Sequence, residues 1–287
     1  MYGLPMAQMI ETLAPLARRY GVVLCDVWGV LHNGVRAFPE AVAALQEVRA
    51  AGQKVVLLTN SPRRREGVAE QLALLGVPAD CYDRIVTSGD VTRRLIAEGP
   101  RRIFHLGPDH DLTLYDGLDV ELSEEFEAQG VVCTGMFDDD ETPEDYAPML
   151  ERFRSRNLPF ICANPDIVVE RGDQMVWCAG ALARDYAQMG GRTQVAGKPH
   201  RPIYEAALAV AAEVVGREVA KSEALAIGDG VLTDVKGAAD NGIDVLFVSA
   251  GIHASEFGAA HAPDPARLTT FLEKHGYSPV AIIPRLR

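Results

Sequence analysis

The sequence lacks the features that mark secreted and membrane proteins. It has five cysteines, Cys25, Cys81, Cys133, Cys162 and Cys178, and no two of them form a C-x-x-C pair. Most lie in apolar runs, so they read as buried free thiols of a reducing, cytoplasmic compartment and speak against a disulfide frame or a zinc site. No apolar run approaches the roughly 20 residues that cross a bilayer. The stretch from Met1 to Tyr20 carries Glu11 and lacks the charged-then-apolar order of a signal peptide. Leu4, Met9, Ile10, Leu13, Leu16 and Ala17 predict an amphipathic helix there instead.

Positive charge is also scarce. The chain has 28 Lys and Arg against 40 Asp and Glu, a formal net charge of -12. Such a surface repels nucleic acid and anionic lipid, so neither is expected as a partner. The one basic cluster, Arg63-Arg64-Arg65, is short and predicts a solvated first helical turn. Internal repeats and low-complexity tracts are absent. With 48% hydrophobic and 24% charged residues the composition is that of a globular protein, and 287 residues allow one large or two ordinary domains.

What is present is a series of short apolar runs that end in polar residues. Val22-Val23-Leu24 leads through Cys25 to Asp26, and Gly29 lets the chain turn away. A buried parallel strand reads as a continuous apolar run, and open α/β sheets place their chemistry at the carboxyl ends of strands. Asp26 is therefore the first candidate for a reactive group. A helix pattern from Glu40 stops at Gly52, and the strand Lys54–Leu58 follows, ending in Thr59-Asn60-Ser61-Pro62. Hydroxyls and N–H groups before a helix, with Pro62 at its first position, form an anion cradle or a plain helix cap. A helix is predicted from Arg63 to Leu75, a strand at Ile85–Ser88 and a helix at Asp90–Glu98.

From Arg101 to about Tyr186 a smaller α/β unit begins anew, with strands at Ile103–Leu106, Val131–Thr134 and Pro159–Ala163. Thr142-Pro143-Glu144-Asp145 predicts a helix start, and the acids Asp138 to Glu141 before it read as favourable N-terminal charge more than as a metal site. Asn164-Pro165-Asp166 is a turn. Gly197-Lys198-Pro199-His200 is not a P-loop, because Pro199 stands where Ser or Thr is required. The strand Ala224–Ile227 ends in Gly228-Asp229-Gly230-Val231-Leu232-Thr233-Asp234, close to a dinucleotide fingerprint. Two carboxylates beside a pyrophosphate have the wrong sign for that role unless a cation intervenes. Asp244–Val248 is predicted as the final core strand.

A parallel sheet would gather Asp26, Thr59-Asn60-Ser61 and Asp229 at one edge. Two carboxylates for a hard cation, an anion cradle and Lys198 suit phosphoryl chemistry with Mg2+. The order D-x-x-G-V-L, L-T-N-S, G-K-P and G-D-x-x-x-T-D resembles the haloacid dehalogenase superfamily. The insertion closing on Asn164-Pro165-Asp166 is similar to its class IIA sugar-phosphate, nucleotide and nitrophenyl phosphatases. The resemblance implies a doubly wound parallel-sheet core (1–88 and 187–287) with an inserted smaller α/β cap (89–186) that selects a small phosphorylated metabolite. It implies Asp26 as the nucleophile that forms an aspartyl-phosphate. Asp26, Asp229 and the Trp28 carbonyl would hold Mg2+. Thr59, with backbone groups of Asn60 and Ser61, would bind the phosphoryl group, and Lys198 would offset its charge. Asp234 would orient Lys198 or a water on the metal. Members often pair through their caps, so a homodimer is compatible with the resemblance.

One position departs from the pattern. The family's phosphatases carry a second aspartate two residues after the nucleophile, as general acid and base. This chain has Trp28, whose indole donates a hydrogen bond but transfers no proton. Three readings remain open: a phosphatase restricted to good leaving groups, a non-catalytic binder of phosphorylated ligands, and a dehalogenase-like hydrolase. His32 is a nearby candidate for a substitute acid.

Overall fold

The computed structural model describes residues 8–287. The chain divides into two compact units. One contains the chain through Thr59, Ala69–Val86 and Tyr204–Arg287; the other contains Asn60–Val68 and Thr87–Ile203. In chain order the strands begin with β1 (Gln8–Met9), β2 (Val22–Cys25), β3 (Lys54–Thr59), β4 (Arg84–Thr87), β5 (Arg102–Leu106), β6 (Glu121–Leu122), β7 (Gly130–Cys133) and β8 (Pro159–Cys162). They continue with β9 (Val168–Arg171), β10 (Gln174–Trp177), β11 (Arg192–Val195), β12 (Ala224–Gly228), β13 (Asp244–Val248), β14 (Gly258–Ala259), β15 (Ala262–Pro263) and β16 (Ala281–Ile283).

The larger unit is built on a seven-stranded sheet in the order β1-β16-β13-β12-β2-β3-β4. The pairs from β1 across to β3 are all parallel. Every residue of β2 and β12 is buried. A central parallel strand is covered on both faces, which explains why these strands read as unbroken apolar runs. Register decides the chemistry of the edge. Cys25 pairs with Leu57 on one side and with Ile227 on the other. Asp26, one residue further along, and Thr59 and Asp229, each two residues further along, therefore lie at the same end of the sheet. The helix Pro39–Ala50 starts with its proline in the first turn and ends at Gly52, whose φ of +99° suits glycine.

The smaller unit carries a five-stranded parallel sheet in the order β11-β8-β7-β5-β6. Both of its faces are packed. Val131, Cys133, Phe160 and Cys162 join a core with Phe153, Leu182 and Tyr186, while Val132 and Ile161 join a second core with Ile96, Ile103 and Leu114. The alternation is the two-residue period of a strand. Phe160 stacks on Tyr186 at 5.2 Å, and the Tyr186 hydroxyl donates to the Leu158 carbonyl. All five cysteines are buried free thiols, and no helix among the described residues is long and apolar enough to cross a membrane.

Several expectations need correction. The amphipathic helix over the first twenty residues is reduced to Ala14–Ala17, and Leu4 lies outside the described residues. Gln8–Met9 instead forms an edge strand, because β16 offers it a parallel partner; Ile10 N–H continues the ladder to the Ile282 carbonyl. Asp244–Val248 is thus not the last core strand: β16 follows it and lies between β13 and β1. The helix expected at Arg63 begins at Arg65, so Pro62 is not at its first position. Gly89 N–H takes the Ser61 carbonyl, and Asp90 Oδ2 accepts Arg65 N–H at 3.2 Å. Those contacts hold the chain before Arg65 as a bend and put the helix start two residues later.

Candidate active site

Asp26 follows β2 directly. Its N–H donates to the Ile227 carbonyl at 2.8 Å, which fixes its backbone as an extension of the ladder with β12. Asp229 follows β12 in the same way. Asp234 sits in a single π-helical turn, Val231–Val235, that leads into the short helix Lys236–Asp240. Such turns are frequent at functional sites. One carboxylate oxygen from each of Asp26, Asp229 and Asp234 lies within 4.8 Å of the others, and all three residues are buried.

The backbone around these carboxylates is shaped to their size. A Cβ on Gly29, whose φ is +82°, would fall 2.2 Å from Asp229 Oδ2, and one on Gly251 would fall 2.0 Å from the same oxygen. A Cβ on Gly228 would meet Asp234 Cγ at 2.1 Å. Asp229 Oδ2 accepts Ile252 N–H at 2.8 Å, and Asp234 Oδ2 accepts Gly230 N–H at 3.1 Å. At an effective dielectric near 20, two carboxylate charges about 4.8 Å apart repel by roughly 3–4 kcal/mol. Buried charges persist when they are paired or hold a metal. Three converging oxygen donors with no thiol or imidazole among them fit a hard divalent cation.

Thr59 is the last residue of β3 and is buried. The residues after it belong to the other compact unit, where Asn60 meets Lys198. Lys198 N–H donates to Asn60 Oδ1 at 2.7 Å, and Asn60 Nδ2 donates to the Lys198 carbonyl at 3.2 Å and to Asp166 Oδ1 at 2.9 Å. The Asn60 side chain therefore holds the backbone of Lys198 on both sides. Gly197 permits this closeness, since a Cβ there would lie 2.7 Å from Asn60 Oδ1. Ser61 Oγ accepts Arg63 N–H at 3.3 Å.

Trp28 is half-buried and meets the His32 ring edge-on, with centroids 4.9 Å apart. His32 is 1% exposed, and its Nδ1 accepts Gly34 N–H at 2.9 Å. Burial pushes its pKa from 6.5 down to about 4. The ring is neutral at physiological pH, which argues against it as the missing acid. The same shift has a stability consequence. A folded pKa below the unfolded value means that the unfolded chain binds more protons between pH 6.5 and about 4. The contribution is intact above pH 6.5 and lost as pH falls toward 4, up to about 3 kcal/mol for the full shift. Urea unfolding of the wild type and His32→Gln should give stability curves that converge as pH falls through this window. Parallel curves would show that His32 titrates normally.

His253 went unread in the sequence. Its Nε2 accepts Val231 N–H at 3.3 Å, tying the loop after β13 to the turn that carries Asp234. Its ring packs against Phe271 at 5.0 Å. No spacing rule marks it, because its partner is 22 residues away. The acids Asp138–Glu141 are not part of any metal-ligand group among the described residues. Glu141 accepts Asp138 N–H, and Asp145 accepts the N–H and hydroxyl of Thr142.

Residues 23–121 match a family model described as haloacid dehalogenase-like hydrolase, and residues 195–273 match a second, HAD-hydrolase-like model. A solved hydrolase of the haloacid dehalogenase-like family from Brucella suis 1330 is 60% identical; the match covers 97% of this chain and 100% of that one, with a TM-score of 0.89. The 5'-nucleotidase YutF of Bacillus subtilis is 25% identical over 83% of this chain and 91% of its own. The ribonucleotide monophosphatase NagD of Escherichia coli is 26% identical over 80% and 88%. With the strand-end aspartates in place and a relative this similar over nearly its whole length, the chain belongs to the haloacid dehalogenase-like family of hydrolases.

Proposed function

We propose that this protein hydrolyses phosphate monoesters of small metabolites through an aspartyl-phosphate on Asp26, with Mg2+ as cofactor. The observation that carries the reading is the convergence of three buried carboxylates, Asp26, Asp229 and Asp234, at the sheet edge where Thr59 ends its strand. The names of the more distant relatives describe phosphatases of nucleotides, which supports a phosphorylated small molecule as substrate.

In this reading Asp26 attacks phosphorus, the bond to the leaving oxygen breaks, and water then displaces phosphate from the Asp26 carboxylate. Asp26, Asp229 and the Trp28 carbonyl would hold the ion, which when bound neutralises charge on the transferring phosphoryl group. Asp234 acts from behind these ligands, held by Gly230 N–H. Thr59 and the Asn60 and Ser61 backbone receive phosphoryl oxygens, and Lys198 supplies positive charge. Because Asn60 follows Thr59 directly and its side chain grips the Lys198 backbone, the phosphate-binding segment and the lysine are mechanically linked.

Trp28 sets the substrate range. Without a proton donor at its position, the leaving group must depart as an anion, so acyl and aryl phosphates are favoured over alkyl ones. The same residue keeps a second reading open, that of a binder of phosphorylated ligands without turnover. Hydrolysis of p-nitrophenyl phosphate tests both, since nitrophenolate needs no acid. Turnover should appear with Mg2+, fall to background with excess EDTA and return when Mg2+ is restored. Turnover indifferent to EDTA would remove the metal from the proposal. Absence of turnover, with Mg2+ binding still seen by calorimetry, would favour the binder.

A further inference from the structure

The π-helical turn Val231–Val235 that carries Asp234 is held from outside at both of its ends. The Gly230 carbonyl accepts both Asp234 N–H at 2.8 Å and Val235 N–H at 3.1 Å, so the turn is wider than an α-helical one. Within it the Asp234 carboxyl lies against the end of β12, where only a glycine at 228 leaves it room. A single helical turn is unfavourable by itself, because its first hydrogen bonds do not repay the dihedral angles they fix. Side chains from two other elements supply what the turn lacks.

The first is His253. Val231 N–H is a donor of the kind that helix starts leave unpaired, and Val231 is 0% exposed, so water does not serve it. It donates to His253 Nε2 at 3.3 Å. The His253 ring is fixed by Phe271, which Phe257 backs at 5.1 Å. Burial and the nearby His275 pull the His253 pKa below 6.5 against Glu256 and Asp234, which keeps the ring neutral and able to accept. The residue before it, Ile252, gives its N–H to Asp229 Oδ2. One dipeptide thus holds the Asp229 carboxyl and the start of the Asp234 turn together.

The second is Tyr204, buried in the helix Arg201–Val215. Its hydroxyl is shared between the Thr233 and Asp234 carbonyls, 3.4 Å from each. A carbonyl oxygen has two lone pairs and can accept the hydroxyl besides a helical N–H. Gly237 makes the approach possible, since a Cβ there would lie 2.4 Å from the Tyr204 hydroxyl oxygen. We propose that Tyr204 and His253 are positioning residues of the carboxylate group, holding the π-helical turn so that an Asp234 oxygen stays within 4.8 Å of those of Asp26 and Asp229. Both act through backbone groups of the turn. Their effect on a divalent cation rests on the phosphatase reading above; their hold on the turn does not. Groups that orient metal ligands from behind commonly set the affinity of the site.

The test titrates MgCl2 into the full chain by calorimetry. Tyr204→Phe and His253→Leu should each weaken Mg2+ binding about tenfold, the usual cost of losing a group behind a metal ligand. His253→Gln keeps an acceptor near the Nε2 position and should restore most of the affinity. Tyr186→Phe removes an equally buried tyrosine hydroxyl bond in the smaller unit and should leave the affinity unchanged. Amide exchange in EDTA, followed by mass spectrometry, should quicken over residues 229–236 in Tyr204→Phe and His253→Leu and stay at the wild-type rate in the smaller unit. Unchanged exchange in the turn, unchanged affinity in both variants, a glutamine no better than leucine, or an equal loss in Tyr186→Phe overturns the positioning role. If the wild type binds no Mg2+, the cation reading fails, and exchange alone decides: faster exchange confined to the turn upholds the clamp, and unchanged exchange overturns it.

Discussion

Asp26→Asn should abolish p-nitrophenyl phosphate hydrolysis, lowering kcat by about 10⁴-fold or more, as loss of a catalytic nucleophile does elsewhere. The amide is isosteric but carries no charge and a much weaker nucleophile, so no phosphoryl-enzyme forms. Asp26 is also a proposed cation ligand, and the two roles need separating. Asp229→Asn is the comparison: it should lower Mg2+ affinity and lose activity that high Mg2+ partly restores, whereas Asp26→Asn should stay inactive at any Mg2+ concentration. Borohydride added during turnover should reduce the acyl phosphate and convert Asp26 to homoserine, visible by mass spectrometry of the peptide. Single turnover in H2(18)O distinguishes the chemistry further. Water that attacks phosphorus leaves the label in phosphate; a dehalogenase-like ester opened at carbon leaves it in Asp26. Label in Asp26, or full activity in Asp26→Asn, would sink the phosphoryl-transfer mechanism.

Trp28→Asp should raise kcat for alkyl phosphates by about 10²- to 10⁴-fold, the usual contribution of general acid–base catalysis. The position is two residues past the proposed nucleophile and half-buried. An aspartate placed there could give a proton to an alkoxide and later take one from water. Aryl phosphates should gain far less, since nitrophenolate leaves without help. The plot of log kcat against leaving-group pKa should therefore be steep in the wild type and flatten in the variant. Trp28 also packs its ring against His32, so a fall in activity toward both substrate classes would mean that the indole is needed for positioning. Alkyl and aryl phosphates turned over equally by the wild type would show that another residue supplies the proton.

The parts of the molecule readable from the chain are those whose signal is local. β2, β3, β12 and β13 are buried on both faces, so each appears as an apolar run, and the polar residue that ends each of the first three is legible beside it. Three strands of the smaller sheet, β5, β7 and β8, were legible in the same way, whereas β6 and β11, which are not buried apolar runs, were missed. Parallel pairing turns these separate ends into one edge, which is why Asp26 and Asp229, some two hundred positions apart, could be expected together. Elements without a local signal were missed. β1 and β16 are two and three residues long and exist because each has the other beside it. Arg63-Arg64-Arg65 reads as a solvated turn, yet the three lie 3.6, 3.7 and 3.0 Å from carboxylate oxygens of Asp111, Asp116 and Asp90.

By itself the sequence determined the α/β class, the polar residues at the strand ends that are candidates for chemistry, the exclusion of a disulfide frame, and the anomaly at Trp28, because residue type and short-range spacing are sufficient for each. The tertiary structure alone decided that three carboxylate oxygens lie within 4.8 Å, that glycines 29, 228 and 251 leave room for them, and that Asn60 grips Lys198 from 138 residues away. It alone exposed the burial that holds the His32 pKa down. Burial, close approach and hydrogen-bond satisfaction are properties of groups brought together from distant parts of the chain, and no local pattern encodes them.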